Sequence, residues 1–279
     1  MNGEERFEKK RFETTDTVAD AWRKELEEKG YEPQTLTRWS CIRFAILSRT
    51  WRRILRRTDG LSRFAPIRAL EVGCGGGAQL VPLYVNGWSC VGVDVSPEVL
   101  ARARMYAQNA DKHCRAVGTI EFRSLNFLNL EPDPLGFDVT FHFGVLEHYL
   151  DAAERRRHLE KMFDVTRSGG FVVSVVPNGG HVLRAEQRES GLGGYIIPEI
   201  DYSVGLLRAE MIDCGAISVQ VLPHDLFGYL KLRNQYGLRK VYYGCLYYLM
   251  QLPVFQLLPM WFLENHAYSL IAIARKPEY

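Results

Sequence analysis

The chain has 279 residues, which is enough for one large α/β domain or two small ones. Hydrophobic residues make up 47% and charged residues 24%, so the chain can bury a full core and has the charge content of an ordinary soluble protein. The net charge of +2 says little alone, but nine arginines and a single acid, Asp59, lie between Arg38 and Arg68.

The six cysteines, at positions 41, 74, 90, 114, 214 and 245, are scattered along the chain and form no C-x-x-C pair. Neither a zinc site nor a disulfide framework is therefore predicted. The first ten residues are too charged for a signal peptide, so we expect a cytoplasmic protein.

Residues 1–66 are predicted to form a helical cap. Their first half is polar, with a helix expected from about Thr17 to Lys29 and ended by Gly30. Residues 35–57 then place apolar side chains at spacings of three and four among the arginines, which predicts one or two amphipathic helices with a basic face. We favour the interpretation that these helices cover one edge of a sheet while the arginines are solvated. The alternative is that the arginines attract a phosphate, an anionic lipid surface or RNA.

Strands and helices alternate from Ile67 onward, which predicts a mainly parallel, doubly wound α/β sheet. The expected strands are Ile67–Val72, Cys90–Val95, Ile120–Phe122, Phe137–Phe143, Phe171–Val176, Ile217–Leu222 and Ala267–Arg275. The expected helices run from Leu80 to a stop at Asn86-Gly87, from Ser96 and Pro97 to about Asn109, from Ala152 to Thr166 with a stop at Gly169-Gly170, and from Val204 to Asp213. We assign residues 67–223 to the core, 224–266 to an apolar helical insertion, and 267–279 to the last strand and the C-terminus.

The turn after the first strand is the most informative stretch. Gly73, Gly75 and Gly77 permit positive φ angles and let a ligand approach the backbone where a strand ends and a helix begins. Gly73, Gly75 and Ala78 also satisfy the dinucleotide-binding pattern G-x-G-x-x-G/A. Glu71 argues against a pyrophosphate, because its carboxylate would repel phosphates and suits a cationic ligand.

Four segments, in their order and spacing, carry a resemblance to a known family. They are Arg68–Leu80, Gly92–Glu98, Asn126-Phe127 and Gly144–His148. Together they resemble class I S-adenosylmethionine-dependent methyltransferases, especially small-molecule O-methyltransferases such as those of ubiquinone biosynthesis, over about residues 68 to 222. The resemblance implies a Rossmann-like sheet of seven strands with the last strand antiparallel beside the sixth. It also implies S-adenosylmethionine as the cofactor and S-adenosylhomocysteine as its product.

The resemblance further assigns the cofactor contacts. Glu71 and the backbone of the glycine turn would bind the methionine end, and Asp94 would accept hydrogen bonds from both ribose hydroxyls. Asn126 stands where the family usually has Asp, so its neutral amide would be a weaker acceptor for the adenine amino group. The full expected set is Glu71, Gly73, Cys74, Gly75, Gly77, Asp94, Val95, Asn126, Phe127, Phe143 and Gly144. Main-chain contacts are implied for Cys74, Phe127, Phe143 and Gly144.

His148, just after the fourth strand, has two interpretations. A histidine of near-neutral pKa suits removal of a proton from a hydroxyl acceptor. Alternatively it only orients or caps the next helix, because Leu-Glu-His recurs in family members with different acceptors. Glu147 could bind a metal ion, but no further ligand cluster supports one, so no metal is predicted. Other acceptor-side candidates, each also explained as pocket lining or surface, are His181, Tyr195 and His224. The first two lie in a segment, Pro177–Ser203, whose length is typical of lids or binding loops.

These features predict an enzyme that transfers a methyl group in line to a small, fairly apolar acceptor, most readily at oxygen. One alternative is an RNA methyltransferase that uses the basic region from Arg38 to Arg68. No nucleic-acid module accompanies that region, and no Asn-Pro-Pro-Tyr-type motif follows the fourth strand, which counts against N-methylation of a base. Nucleic acid is therefore not the expected partner. The other alternative is a non-catalytic module that only binds the cofactor.

The 23 residues from Val241 to Leu263 contain no charge, a length that exceeds the ~20 residues needed to cross a bilayer. Crossing is not expected, because Pro253 and Pro259 break the run and the last strand must return to the same sheet. Three possibilities stay open: a lid over the acceptor pocket, which we favour, a homodimer contact, or a surface that contacts a membrane peripherally.

Overall fold

The computed structural model describes residues 38–58, 61, 66–184, 197–231 and 237–278, together with positions 20, 22, 24 and 36. The helix expected from Thr17 to Lys29 lies almost wholly outside these residues, and so does the candidate Tyr195.

The core is one sheet of seven described strands in the order β3-β2-β1-β4-β5-β7-β6. The strands are β1 (Arg68–Val72), β2 (Ser89–Asp94), β3 (Thr119–Ser124), β4 (Phe137–Phe143), β5 (Thr166–Pro177), β6 (Ser218–Leu226) and β7 (Ala267–Arg275). All neighbouring pairs among β1 to β5 are parallel, whereas β7 is antiparallel to both β5 and β6. The predicted Rossmann-like sheet and its antiparallel last strand are confirmed.

Helices pack on both faces of this sheet. They are α1 (Arg38–Ile46), α2 (Arg49–Leu55), α3 (Leu80–Val85), α4 (Pro97–Cys114), α5 (Ala152–Val165), α6 (Val204–Asp213), α7 (Leu238–Met250) and α8 (Met260–His266). Residues of α1 to α4 share one hydrophobic cluster with one face of the sheet, and residues of α5 and α6 share another with the opposite face. In the first cluster the ring of Trp51 packs edge-on against Phe141, with the centroids 4.7 Å apart. The strand ends after β1 and β4 therefore open between two helical layers, at the point where the strand order reverses.

Some helices end at residues other than those predicted from the sequence. The helix α4 continues to Cys114, beyond the expected end near Asn109. The predicted stop at Gly169-Gly170 is wrong, because α5 ends at Val165 and β5 begins at the next residue. Gly170 lies inside this strand, where a Cβ atom would be 2.9 Å from the carbonyl oxygen of Arg167. Its lack of a side chain permits close backbone approach rather than ending a helix.

The sixth strand is longer than expected and carries His224 within it, since β6 runs to Leu226. The insertion then consists of short 3-10 turns at Gly228–Lys231 and Pro253–Leu257 and the helices α7 and α8. No helix in the described part of the chain is long and apolar enough to span a membrane.

The expectation of no disulfide is wrong, because Cys41 and Cys114 are joined, with their Cα atoms 5.2 Å apart. This bond ties α1 to the last residue of α4. The two cysteines are 73 residues apart in sequence, so only the packing of α1 against α4 brings them together.

Candidate active site

The glycine turn after β1 is held by the end of the neighbouring strand. Cys74 donates its N–H to the carbonyl of Val93 at 3.1 Å, and Gly75 donates its N–H to Oδ2 of Asp94 at 2.9 Å. Gly73 has a φ of +63°, and a Cβ atom there would lie 2.6 Å from Cγ2 of Val145. This turn therefore requires glycine both for its backbone angle and for the close approach of the loop that follows β4.

Asp94 has a structural function that the sequence did not reveal. Its carboxylate accepts hydrogen bonds from the N–H groups of Gly75 and Ser96, at 2.9 and 3.0 Å. Burial raises its pKa, while hydrogen bonds from the backbone of Ser96, Gly75 and Val95 act in the opposite direction. Ser96 caps α4 by accepting from Val99, as predicted. A carboxylate has about four acceptor positions, so Asp94 can still accept from two hydroxyl groups.

Glu71 lies buried at the carboxyl end of β1, beside this turn. Its Oε2 atom has no hydrogen-bond partner among the described residues. Desolvation, followed by the nearby charge of Asp94, raises its pKa well above the usual value. A buried carboxylate oxygen without a partner is costly unless a cationic group satisfies it. The site therefore fits a ligand with an ammonium group near Glu71 and hydroxyl groups near Asp94.

Asn126 caps the short 3-10 turn Phe127–Asn129 by accepting from the N–H of Leu128 at 3.0 Å. Its amide oxygen can accept a second hydrogen bond, so the cap leaves the expected contact to an adenine possible. Phe127 itself is buried, and its ring lies 6.4 Å from that of His158.

The chain turns sharply as it leaves β4. Gly144 has a φ of +76°, and its N–H donates to the carbonyl of Val175 at 2.8 Å. A Cβ atom at Gly144 would lie 3.2 Å from Oε1 of Glu147. The side chain of Phe143 packs near Trp51 on the α2 face, with the ring centroids 6.3 Å apart.

Glu147 is buried, and its Oε2 atom has no hydrogen-bond partner among the described residues. Desolvation raises its pKa from 4.5 to about 8, so this carboxyl group holds a proton at neutral pH. Its main-chain carbonyl accepts from the N–H of Ile200 at 2.8 Å. The segment around residue 200 thus lies directly against the turn that carries Glu147.

His148 is also buried, and its Nδ1 lies 3.3 Å from the carbonyl oxygen of Pro198. A carbonyl can only accept, so Nδ1 carries the proton in this contact and Nε2 is the basic nitrogen of the neutral ring. Desolvation lowers the pKa of His148, which keeps the ring neutral at pH 7. The ring of Trp22 packs edge-on against it, with the centroids 5.1 Å apart.

Two described ends of the segment Pro177–Ser203 are tied together beside this turn. Arg184 forms ion pairs with Glu199 and with Asp201, the latter at 3.3 Å. Asn178 forms a backbone bridge with Tyr202. These contacts hold residues 197–201 over Glu147 and His148, which excludes water from both side chains.

The remaining acceptor-side candidates occupy different places. His181 packs edge-on against Tyr229 of the insertion, and its Nε2 atom is buried without a partner among the described residues. Desolvation lowers its pKa to about 4. His224 contacts α2 instead, with its Nε2 3.0 Å from Oγ1 of Thr50. Because β5 and β7 lie between β6 and β4, the strand that carries His224 is roughly 14 Å across the sheet from β4, the strand that precedes His148.

Three arginines of the basic region from Arg38 to Arg68 are bound to other parts of the fold. Arg49 pairs with Asp225 at 2.8 Å, and Arg68 pairs with Asp133 at 2.6 Å. Arg53 donates to the carbonyl of Pro223 at 2.5 Å. These arginines attach the N-terminal helices and β1 to the rest of the fold. Elsewhere in the described chain, no three His, Cys, Asp or Glu side chains are grouped to hold a metal ion.

Comparison with known proteins agrees with this geometry. A family model described as a methyltransferase domain matches residues 69–170. Similar curated proteins carry the name ubiquinone biosynthesis O-methyltransferase. That of Cereibacter sphaeroides is 29% identical over 110 residues, which are 39% of this chain and 41% of the relative. That of Paramagnetospirillum magneticum is 28% identical over 141 residues, 49% of this chain and 51% of the relative. The chain thus spans about half or less of the length of these relatives.

Solved structures show the same fold at low sequence identity. An S-adenosylmethionine-dependent methyltransferase from Methanosarcina mazei has a TM-score of 0.54 at 16% identity, covering 84% of this chain and 99% of its own. The phosphoethanolamine N-methyltransferase 2 of Haemonchus contortus, solved in complex with S-adenosyl-L-methionine, also has a TM-score of 0.54, at 17% identity. It covers 92% of this chain and 60% of its own.

The seven-stranded sheet, the glycine turn and the matched domain together define a class I S-adenosylmethionine-dependent methyltransferase. Residues 69–170 of the present chain match a methyltransferase domain, and the fold around them is that of solved S-adenosylmethionine-dependent methyltransferases. The resemblance inferred from the four sequence motifs is confirmed.

Proposed function

We propose that this methyltransferase transfers the methyl group to an oxygen atom of a small, fairly apolar acceptor. The observation that carries the proposal is the state of His148, a buried and neutral imidazole whose Nδ1 is bound to Pro198 and whose Nε2 is basic. An aromatic or alcoholic hydroxyl needs such a base, because it is a weak nucleophile while protonated. The names of the curated relatives support oxygen as the reacting atom, over less than half of this chain.

The cofactor supplies the methyl group on a sulfonium centre that is its own leaving group. Glu71 would satisfy its ammonium group, Asp94 would accept from its ribose hydroxyls, and Asn126 would contact its base. The backbone of the glycine turn can approach the cofactor closely because it carries no side chains at Gly73 and Gly75. In this proposal these residues bind and orient the cofactor.

The proton of the acceptor would be removed on the other side of the site, after β4. Nε2 of His148 would take it from the hydroxyl group, a contribution of about 10²–10⁴ in rate. Glu147, protonated at neutral pH, can donate a hydrogen bond and adds no negative charge beside the reacting oxygen. Trp22 and the covering residues Pro198 and Ile200 exclude water and favour an apolar acceptor.

Methyl transfer from radiolabelled S-adenosylmethionine to a matched series of a phenol, a carboxylate, an amine and a thiol tests the proposal. We expect the phenol to react fastest in the wild type, and His148→Ala to reduce that reaction selectively. Preferred transfer to the amine or the thiol would overturn oxygen as the target. Fast methyl transfer to the carboxylate that is unaffected by His148→Ala would contradict the role of His148 as a base.

The same assay, together with calorimetry, tests the two alternatives, an RNA methyltransferase and a non-catalytic cofactor-binding module. Transfer to tRNA, added as a further acceptor, would favour an RNA methyltransferase that the pairing of Arg49 and Arg68 does not support. If calorimetry shows cofactor binding while no acceptor in a broad series reacts, the chain is a binding module only.

A further inference from the structure

The helix α7 exposes apolar side chains along one stripe of its surface. Leu238 is 88% exposed, and the residues that follow at helical spacing are also exposed. The stripe consists of Leu238, Val241, Tyr242, Cys245, Tyr248, Leu249 and Leu252. It continues past the helix through Val254, Leu257, Met260 and Trp261, of which Leu257 is 83% and Trp261 64% exposed. We call the exposed side chains of residues 238–261 the insertion surface.

The opposite side of α7 already holds the helix on the core. Tyr247 is buried, and its hydroxyl donates to Asp225 while accepting from Arg49 at 2.8 Å. Gln251 donates to the carbonyl of Leu226 at 2.6 Å. The insertion surface is therefore not needed to attach α7 to the fold. Contiguous exposed apolar side chains of this extent are typical of a surface that contacts a partner or a membrane.

The charges on the insertion surface have one sign. Arg239 and Lys240 are exposed in the first turn of α7, and no acidic residue occurs from Leu238 to Leu263. Basic residues in a first turn oppose the positive end of the helix dipole, so an anion beside them would be stabilising. The surface thus combines large apolar side chains, tyrosines and a tryptophan with positive charge.

We propose that the insertion surface docks on an anionic lipid bilayer. Anionic headgroups supply the partners for Arg239 and Lys240, and tyrosine and tryptophan favour the boundary between headgroups and acyl chains. A second copy of the chain fits less well. A symmetric contact would place this surface against itself, where it offers two cations and no carboxylate. The docking is peripheral, because no described helix can span the bilayer.

Vesicle co-sedimentation tests the proposal directly. The full chain should sediment with vesicles of equal parts phosphatidylcholine and phosphatidylglycerol, and much less with phosphatidylcholine alone. Binding to the mixed vesicles should weaken as salt rises, because the headgroup attraction is screened. No sedimentation with either vesicle would overturn the proposal and would leave the proposed methyl transfer untouched.

Matched variants locate the contact. Leu257→Glu with Trp261→Glu should abolish sedimentation, whereas Ile212→Glu on α6, at a residue 52% exposed, should leave it unchanged. Arg239→Gln and Lys240→Gln should each weaken binding about fivefold, whereas Lys112→Gln on α4 should not. Unchanged melting curves would show that the variants are folded.

Two results would contradict either the insertion surface as the contact or the bilayer as its partner. Equal binding by the Leu257/Trp261 double variant and the wild type would show that the insertion surface is not the contact. Sedimentation velocity tests the second possibility. If the wild type forms a concentration-dependent dimer, the double variant stays monomeric and neither binds vesicles, the partner of the insertion surface is a second copy of the chain.

Discussion

The proposed cofactor side and the proposed acceptor side of the candidate site are built in opposite ways. At the ends of β1 and β2 the site is formed mainly by the backbone. Its glycines have positive φ angles, and the Asp94 carboxylate accepts a hydrogen bond that holds Gly75 in place. After β4 the site depends instead on side chains. Glu147 and His148 are buried beneath residues 197–201, and burial moves their pKa values in opposite directions.

This difference separates binding from proton transfer. A change on the cofactor side should weaken cofactor affinity, whereas a change after β4 should slow turnover with little effect on that affinity. Each side contains a buried carboxyl oxygen without a hydrogen-bond partner in the described part of the chain, Oε2 of Glu71 on one side and Oε2 of Glu147 on the other. Besides burial, the nearby charge of Asp94 raises the pKa of Glu71, and that of Glu199 raises the pKa of Glu147.

The largest effect is expected from His148→Ala. If Nε2 of His148 removes the acceptor proton, kcat should fall by about 10²–10⁴ while cofactor affinity stays the same. Single-turnover kinetics and calorimetric titration measure the two quantities. A loss of cofactor affinity as large as the loss of turnover would show that His148 contributes to cofactor binding and not to proton transfer alone.

The pH profile gives an independent test of the same residue. Protonated His148 cannot act as a base, so turnover should fall as pH drops through its pKa. Because burial lowers that pKa, the acid limb should lie below pH 6.5. A limb above 6.5 would contradict a desolvated imidazole, and a profile that keeps its acid limb in His148→Ala would assign it to another group.

The glycine turn after β1 and the cap of α4 could be predicted from the sequence because their requirements are local. A positive φ needs glycine, a helix start needs Ser96, and both leave a signal within a few residues. The sheet could be predicted for the same reason, since most of its strands contain a short apolar run between turn residues. Pairings between distant residues left no such signal, as the Cys41–Cys114 bond and the Asp94–Gly75 hydrogen bond show.

The acceptor side was predicted only by residue type. Glu147 and His148 were visible as a motif, but their pKa shifts come mainly from burial, and residues 197–201, about fifty residues further along the chain, cover them. His224 has the same side chain and a place near a strand end, yet it contacts α2 because two strands separate it from β4. Strand order, which periodicity does not reveal, decides which histidine belongs to the site.

Glu147→Gln should change the pH dependence of stability. The folded-state pKa of Glu147 is about 8 and its ordinary value is 4.5, so between these values the unfolded chain releases a proton that the folded chain keeps. The wild type should therefore lose about 1.4 kcal/mol of unfolding free energy per pH unit relative to the Gln variant over this range. Urea unfolding from pH 5 to pH 8 measures this difference. Parallel curves for the two proteins would show that Glu147 titrates normally.

Gly73→Ala tests the backbone requirement of the cofactor side. A Cβ atom at φ +63° is strained and would also lie 2.6 Å from Val145, so we expect a loss of about 1–3 kcal/mol in stability and weaker cofactor binding. Gly215→Ala is the matched control, because its φ is +90° and nothing lies within 4 Å. Equal losses in the two variants would show that contact with Val145 costs nothing.

Asp94→Ala should weaken S-adenosylmethionine binding by roughly 1.5–3 kcal/mol, the range for hydrogen bonds to a charged group. Part of this loss would come from the glycine turn, because Gly75 also loses its acceptor. Asp94→Asn keeps an acceptor for Gly75 and removes the charge, so calorimetry on both variants separates the two contributions. Unchanged affinity in a folded Asp94→Ala protein would contradict the assignment of this carboxylate to the ribose.

The smallest effect, and the most selective one, is expected from Asn126→Asp. Aspartate caps a helical turn about as well as asparagine, so the hydrogen bond from Leu128 should persist and stability should not change. A charged acceptor for the adenine amino group is worth about 1 kcal/mol more than a neutral one, which corresponds to roughly fivefold tighter cofactor binding. Asn126→Ala is the control that loses both the cap and the acceptor. If the Asp variant binds the cofactor no more tightly than the wild type while keeping its stability, Asn126 caps the turn after β3 and does not contact the adenine.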